Sequence, residues 1–318
     1  MTVRGRYAPT PSGDLHLGNC RTALLAWLSV RAQGGSFVLR LEDLDKQREK
    51  PNAAEQILSS LRWLGLDWDE GPDVGGPYGP YVQSERQAIY DAAVRKLLAR
   101  GSAFNCFCSR SDVAAASTAP HAGDDGPRYP GTCRGLDPEV AAARMAQGKS
   151  PSIRFVVGPD PVEFVDQHAG AQRFSVREQV GDFVIRRADG VASYQLAVTL
   201  DDAAMSITEV VRGEDLLSST PRQLLLYQAL SLRAPKFLHV PLLLGPDGER
   251  LAKRRGAVSL HELQERQEDP RAICGLLASL SGLAKKGDRV TPKELISRWD
   301  PKKLPRQPSR LEEEDLVA

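Results

Sequence analysis

Up to about Leu64 the chain reads strand, helix, strand, helix, and that alternation constrains its fold more than anything else in the sequence. Val3 to Ala8 is a short candidate strand, and Pro9, Pro11 and Gly13 turn the chain after it. A helix is predicted from Gly18 or Asn19, with Ala23, Leu24, Trp27 and Leu28 at the three-four spacing of one face and Gly34-Gly35 as its stop. Ser36 to Leu41 is the second strand, and Pro51 opens a second helix. Two strands joined through a helix must run parallel with a right-handed crossover, so the fold class is α/β. Arg86 to Arg100 is a further amphipathic helix carrying Ile89, Tyr90, Val94, Leu97 and Leu98 on one side. Residues 152–187 hold short β-like runs among Pro and Gly turns and read as an inserted region. Strands are predicted at Ser193–Val198, Ser206–Val211 and Phe237–Leu244, and a helix at Pro221–Leu232. The chain after Leu251 reads as mostly helical to about Trp299, and the Pro-rich, charged end from residue 300 as loose.

Composition excludes several classes. The 318 residues are 41% hydrophobic and 26% charged, the balance of a globular protein and not of a disordered or fibrous one. No apolar run approaches the ~20 residues of a membrane helix, and the N-terminus lacks an apolar signal core, so no membrane and a cytoplasmic location are expected. The net charge of +1 does not announce a nucleic-acid binder, although nine basic and three acidic residues lie between Lys285 and Arg310. Three of the five cysteines, Cys106, Cys108 and Cys133, are close in sequence. In a reducing compartment such a group suits a metal better than a disulfide. Cys20 and Cys274 read as buried thiols.

Two segments suit phosphate. The first runs from Arg6 through the Pro/Gly turn to His16, Gly18 and Asn19, where a helix N-terminus presents free N–H groups and Gly18 allows close approach. The second is Gly245 to Gly256, a turn-rich loop carrying Arg250, Lys253, Arg254 and Arg255, cations suited to gripping and releasing a polyphosphate.

Taken together these segments resemble a known family. His16-Leu-Gly-Asn19 resembles the HIGH signature of class I aminoacyl-tRNA synthetases, and Arg250-Leu-Ala-Lys-Arg254 their KMSKS signature. Arg6-Tyr-Ala-Pro-Thr-Pro-Ser-Gly, Arg40-Leu-Glu-Asp-Leu-Asp45, Tyr194-Gln-Leu-Ala-Val with Asp201-Asp202, and Val211-Arg-Gly-Glu-Asp-Leu216 are similar to the glutamyl branch. The resemblance covers roughly residues 4–280. It implies a Rossmann-like parallel-sheet catalytic core with a small inserted α/β region and a short C-terminal helical region. It also implies a ligase that uses ATP with Mg²⁺. His16 and Lys253 would be the catalytic residues, and His16, Gly18, Asn19 and Lys253 would bind ATP. Arg6 and Arg212 would face the carboxylates of L-glutamate and Glu42 its ammonium. Tyr194 and Tyr7, Ala8, Pro9 and Thr10 would complete the pocket. Three departures stand out: Arg250 replaces lysine and Ala252 a hydroxyl residue of the second signature, and Val198 stands where glutamyl enzymes commonly show Asn.

Three thiolates leave a tetrahedral zinc site one ligand short, and His121, Tyr129 and water are the candidates. Tyr129-Pro-Gly-Thr-Cys133 resembles the zinc segment of one subgroup of the branch, which selects Tyr129 beside Cys106, Cys108 and Cys133 for one structural Zn²⁺. The implied organisation is a discontinuous core of 1–101 and 190–245. An insert at 102–189 would bear zinc and bind the acceptor end. The signature loop and a stem-contact region would occupy 246–299, and a loose tail 300–318. Only 65 residues follow Lys253, too few for an anticodon-binding domain of about 100 residues or more. The chain is therefore similar to the truncated paralogues of the branch, which activate glutamate without tRNA and pass it to the queuosine base of tRNA(Asp). A monomer is expected. A minimal glutamyl-tRNA synthetase charging the 3′ end, or a non-catalytic tRNA-binding paralogue, is the alternative.

Overall fold

β1 (Arg4–Tyr7) and β2 (Ser36–Leu39) pair in parallel, with Arg4 opposite Ser36 and Tyr7 opposite Leu39. This is the arrangement the opening alternation requires. The computed structural model describes residues 2–116, 127–249, 251, 259–312 and 314. The crossover is α1 (Leu17–Arg31), which lies flat on β1. A side chain at Gly5 would put its Cβ 2.4 Å from Val30 Cγ2, so glycine is what lets helix and strand approach this closely. α2 (Ala53–Trp63) and α3 (Gln87–Ala99) follow, each within two residues of its predicted start.

The second half of the core sheet comes from much later in the chain. β8 (Glu209–Gly213) and β9 (Lys236–Val240) are parallel, joined through α8 (Thr220–Leu230), with Arg212 directly opposite His239. β8 lies beside β1: the Thr208 N–H donates to the Arg4 carbonyl at 2.8 Å, and the Arg4 N–H to Thr208 Oγ1 at 2.9 Å. The strands therefore lie in the order β2, β1, β8, β9, and the C-terminal ends of β1 and β8 open on the same edge. Ligands bind at that edge in open α/β sheets.

Between the halves, β3 (Ala103–Cys106), β4 (Ser152–Phe155) and β7 (Val184–Arg186) form an antiparallel sheet, and β5 (Val162–Asp166) pairs with β6 (Gly170–Phe174) as a hairpin. Short helices α4 (Arg110–Ala116), α5 (Pro138–Ala146) and α6 (Val176–Gln179) fill the connections. Ile153, Phe155, Phe183 and Ile185 pack there against Tyr90, Val94 and Leu97 of α3.

Two expectations are corrected. The segment from Ser193 to Val198 is not a strand. It opens α7 (Tyr194–Ala204), with the Ser193 hydroxyl accepting from the Leu196 N–H at the N-cap. α7 is buried from Leu196 through Asp202, so no polar face marks its period and the apolar spacing of Tyr194, Leu196 and Val198 imitates a strand. Nor is the end of the chain loose up to Leu311. β11 (Ser309–Arg310) adds in parallel to β10 (Leu243–Leu244), and Leu304 and Leu311 join the core cluster of Leu24, Trp27 and Leu277. Two buried leucines and a short backbone ladder hold this segment despite its Pro and Lys content. In the helical region α9 (Leu260–Glu265), α10 (Pro270–Ser279) and α11 (Pro292–Leu295) are short and separated by turns.

Candidate active site

At the edge where β1 gives way to α1, His16 is the N-cap residue. Its Nδ1 accepts the Asn19 N–H at 3.3 Å, and Asn19 Oδ1 accepts the His16 N–H at 3.4 Å. An imidazole whose Nδ1 is an acceptor carries its proton on Nε2 when neutral. The reciprocal cap thus sets both the orientation of the ring and which nitrogen is the donor. Gly18 leaves the ring its place: a Cβ there would sit 3.0 Å from His16 Cε1 and 3.1 Å from Nδ1, so the ring would have to shift by a few tenths of an ångström. Lys253 and Arg250 lie outside the described residues, but the residues flanking the second loop converge on this turn. Leu251 Cδ1 is 3.6 Å from the place of a Gly18 Cβ, Ser259 bridges His16, and the Leu260 N–H donates to the Leu15 carbonyl at 2.8 Å.

Beside this turn the ends of β1, β2, α7 and β8 bring charged side chains into the interior. Arg40 is fully buried; it donates to Asp202 Oδ1 at 2.8 Å and to Glu42 Oε1 at 2.9 Å. Arg6 Nε donates to the same Asp202 at 3.2 Å. Asp201, its neighbour on α7, accepts from Arg86 at 2.6 Å, Gln83 at 2.7 Å and Tyr90 at 2.9 Å. Burial pushes Asp202 up, but Arg6 and Arg40 together bring it below the ordinary aspartate value. Glu42 ends above its ordinary value, because burial outweighs the attraction of Arg40 and Arg6. Glu42 and Asp43 are thus not surface partners of Arg48. Glu42 belongs to the buried cluster, and Asp43 is held by Lys46 and Ser84.

Arg212 is buried at 4% exposure. Its Nε–H donates to His239 Nε2 at 3.0 Å, and its NH2 group donates to Thr220 Oγ1 at 2.8 Å and the Leu216 carbonyl at 3.4 Å. Its other amino group, NH1, has no hydrogen-bond partner among the described residues. A guanidinium buried with an unmet donor is costly unless a ligand completes it. The groups acting on it include Tyr194, Arg6 and Asp202, so these residues expected to hold an amino acid lie together. Tyr194, the first residue of α7, keeps 37% exposure and faces a cleft of about 1170 Å³ shared with Thr10 and Glu42. Tyr7 and Pro9 contribute backbone: their carbonyls accept from the Arg40 and Glu42 N–H groups, with half-buried Ala8 between them. Val198 is buried one helical turn after Tyr194. Sequence reasoning missed His239 and Asp166, which stand behind Arg212.

The cleft continues to the cysteines, reaching Cys108 and Tyr129. The sulfurs of Cys106, Cys108 and Cys133 lie within 4.8 Å of one another, close enough to hold one metal ion. Cys106 Sγ is 3.4 Å from the Tyr129 hydroxyl, which also accepts the Cys133 N–H at 2.8 Å. Arg154 lies over the Tyr129 ring at 3.8 Å and donates to Cys106 Sγ at 3.3 Å. Burial and the neighbouring thiols push Cys108 up to about 12, so a cation is what would let all three sulfurs ionise. The donor set fits such an ion. His121 lies outside the described residues. Among the described residues no helix is long and apolar enough to cross a membrane.

A parallel sheet with a histidine-capped helix at its open edge, a buried arginine with an unmet donor and a second loop anchored beside them defines a class. The chain belongs to the class I tRNA synthetases (E and Q), whose catalytic-domain model matches residues 2–317. It is a ligase of the aminoacyl-tRNA synthetase type, and that family works with ATP, glutamate and tRNA. Within the family it is 55% identical over 315 residues to the glutamyl-Q tRNA(Asp) synthetase of Symbiobacterium thermophilum, covering 99% of this chain and 97% of that one. It is 46% identical over 317 residues to glutamate–tRNA ligase 1 of Halorhodospira halophila, covering 66% of that protein. The crystal structure of a glutamate tRNA ligase from Elizabethkingia meningosepticum in complex with its amino acid superposes with a TM-score of 0.85 at 31% identity. That match covers 99% of this chain and 68% of the other.

Proposed function

We propose that this protein activates L-glutamate with ATP in the absence of tRNA and then transfers the glutamyl group to the queuosine base of tRNA(Asp). The NH1 of Arg212, without a hydrogen-bond partner among the described residues, carries the reading: it asks for an anionic group beside Arg6 and Tyr194, with Glu42 acting on the same tyrosine. Arg212 and Arg6 take the two carboxylates of glutamate, Glu42 its ammonium, and Tyr194 with the Tyr7–Thr10 backbone encloses it. ATP enters as its Mg²⁺ complex at the His16–Asn19 turn. A glutamate carboxylate oxygen attacks the α-phosphorus and pyrophosphate leaves. The Nε2–H of His16 donates to the α-phosphate as charge gathers there, and Lys253 holds the β- and γ-phosphates. A hydroxyl of the queuosine cyclopentenediol then attacks the adenylate carbonyl, AMP leaves, and the hydroxyl proton passes to solvent. Orientation and charge carry both steps, so no protein nucleophile is needed.

The cleft supports the second step, because 1170 Å³ exceeds the roughly 300–1,000 Å³ of ordinary small-molecule pockets and leaves room for a nucleoside beside glutamate. Cys106, Cys108, Cys133 and the Tyr129 hydroxyl would hold one zinc ion, which bound there shapes the far wall of the cleft. The name borne by the relative from Symbiobacterium thermophilum supports the same acceptor. Pyrophosphate exchange into ATP tests the first step. It should require glutamate and proceed without tRNA; no exchange under saturating glutamate and Mg-ATP would refute activation.

A further inference from the structure

We infer that Asp166 and His239 are positioning residues that aim Arg212 at the substrate carboxylate and so set the preference for glutamate over its uncharged amide. The inference rests on the reading of Arg212 given above. The two residues come from different parts of the fold. His239 is the cross-strand partner of Arg212 on β9, and Asp166 ends β5, which docks on β9 through the Gln167 N–H and the Phe237 carbonyl at 2.9 Å. The contacts form one chain. Asp166 Oδ2 is 2.6 Å from His239 Nδ1, and His239 Nε2 is 3.0 Å from Arg212 Nε.

The hydrogen bonds admit one proton arrangement. Arg212 Nε can only donate, so His239 Nε2 must present its lone pair. The imidazole is then neutral with its proton on Nδ1, given to Asp166. A protonated ring would set N–H against N–H beside a guanidinium. Burial also holds His239 below its ordinary value against the pull of Asp166. Thr220 Oγ1, 3.2 Å from His239 Nε2, completes the arrangement by accepting from Arg212 NH2 at 2.8 Å. Asp166 is itself fixed, since its Oδ1 accepts the His168 and Ala169 N–H groups at 2.9 and 2.8 Å. With Nε and NH2 committed, the guanidinium plane is set and NH1 is the donor left for substrate. A carboxylate behind a histidine selecting its tautomer is a known device in catalytic triads; here its beneficiary is a binding arginine.

Asp166→Asn tests this. Its Oδ1 can keep the two turn N–H groups, but its amide then faces His239 Nδ1 as a donor and forces the proton to Nε2. The full-length variant should show ¹⁵N imidazole signals of the Nε2–H tautomer for His239, where the parent shows Nδ1–H. In glutamate-dependent pyrophosphate exchange its KM for glutamate should rise roughly ten- to hundredfold. Its KM for ATP should stay within about twofold, and its preference for glutamate over glutamine should shrink. His239→Gln, whose carbonyl can still accept from Arg212, should retain more glutamate affinity than His239→Leu. An unchanged tautomer and glutamate KM in Asp166→Asn would overturn the inference. If that variant fails to fold, equal glutamate KM values for the two His239 variants would overturn it instead. Parent protein that shows no exchange at all would refute the reading of Arg212, while the parent's imidazole signals would still decide the relay.

Discussion

His16 and Gly18 show how single residues divide the labour at the phosphate turn. The ring is oriented by its own helix cap, and the glycine keeps space for it. Gly18→Ala should therefore leave the melting temperature nearly unchanged yet slow pyrophosphate exchange about ten- to hundredfold by displacing the ring; exchange at the parent rate would remove His16 from that role. Lys253→Ala should nearly abolish exchange in a folded protein. Glu42 adds a pH dependence. Its folded value is raised, so on acidification it is protonated, and stops holding the substrate ammonium, at a pH above the ordinary 4.5. KM for glutamate should rise as pH falls toward that raised value, and Glu42→Gln should flatten the rise. The individual site residues were legible because they sit in short signatures. Asp166 and His239 were not. They are 73 residues apart, each is unremarkable in its own segment, and only the docking of β5 on β9 joins them.

At the scale of elements, strands and helices were legible where one face is polar. α1, α2 and α3 fall close to their predicted positions, whereas α7, buried along most of its length, looked like a strand although Ser193 offered an N-cap signal. β11 was hidden for another reason: two residues of parallel pairing leave almost no pattern, and its hold on the core comes from single leucines. Leu311→Ala should destabilise the protein by about 2–5 kcal/mol, read by denaturant unfolding; a change near zero would mean that the segment does not dock. The cysteine element is tested by metal content. Cys108→Ser should lower bound zinc from about one per chain to nearly none, and unchanged stoichiometry would refute the proposed ligands.

Across the whole molecule the near-neutral charge conceals local organisation. The basic stretch from Lys285 to Arg310 is partly engaged with neighbouring acids, Lys286 with Glu314 and Arg289 with Asp269, though all four remain largely solvent-facing or at the surface. If this surface contacts tRNA, replacing Lys285, Lys286 and Arg289 together should weaken binding and reduce the dependence of log K on log salt by about two to three; an unchanged slope would place the contact elsewhere. The overall architecture was legible because the segments beginning at Arg6, Arg40 and Val211, far apart in sequence, meet at one sheet edge, as the βα alternation demands. The cleft joining that edge to the cysteines was not, since it exists only between the core sheet and the inserted one. What leaves that cleft decides the function. Labelled glutamate, ATP and the protein should be incubated with tRNA(Asp) that carries or lacks queuosine, and with tRNA(Glu). Label on tRNA(Asp) that requires queuosine is the predicted result; label on the 3′ end of tRNA(Glu), independent of queuosine, would contradict it.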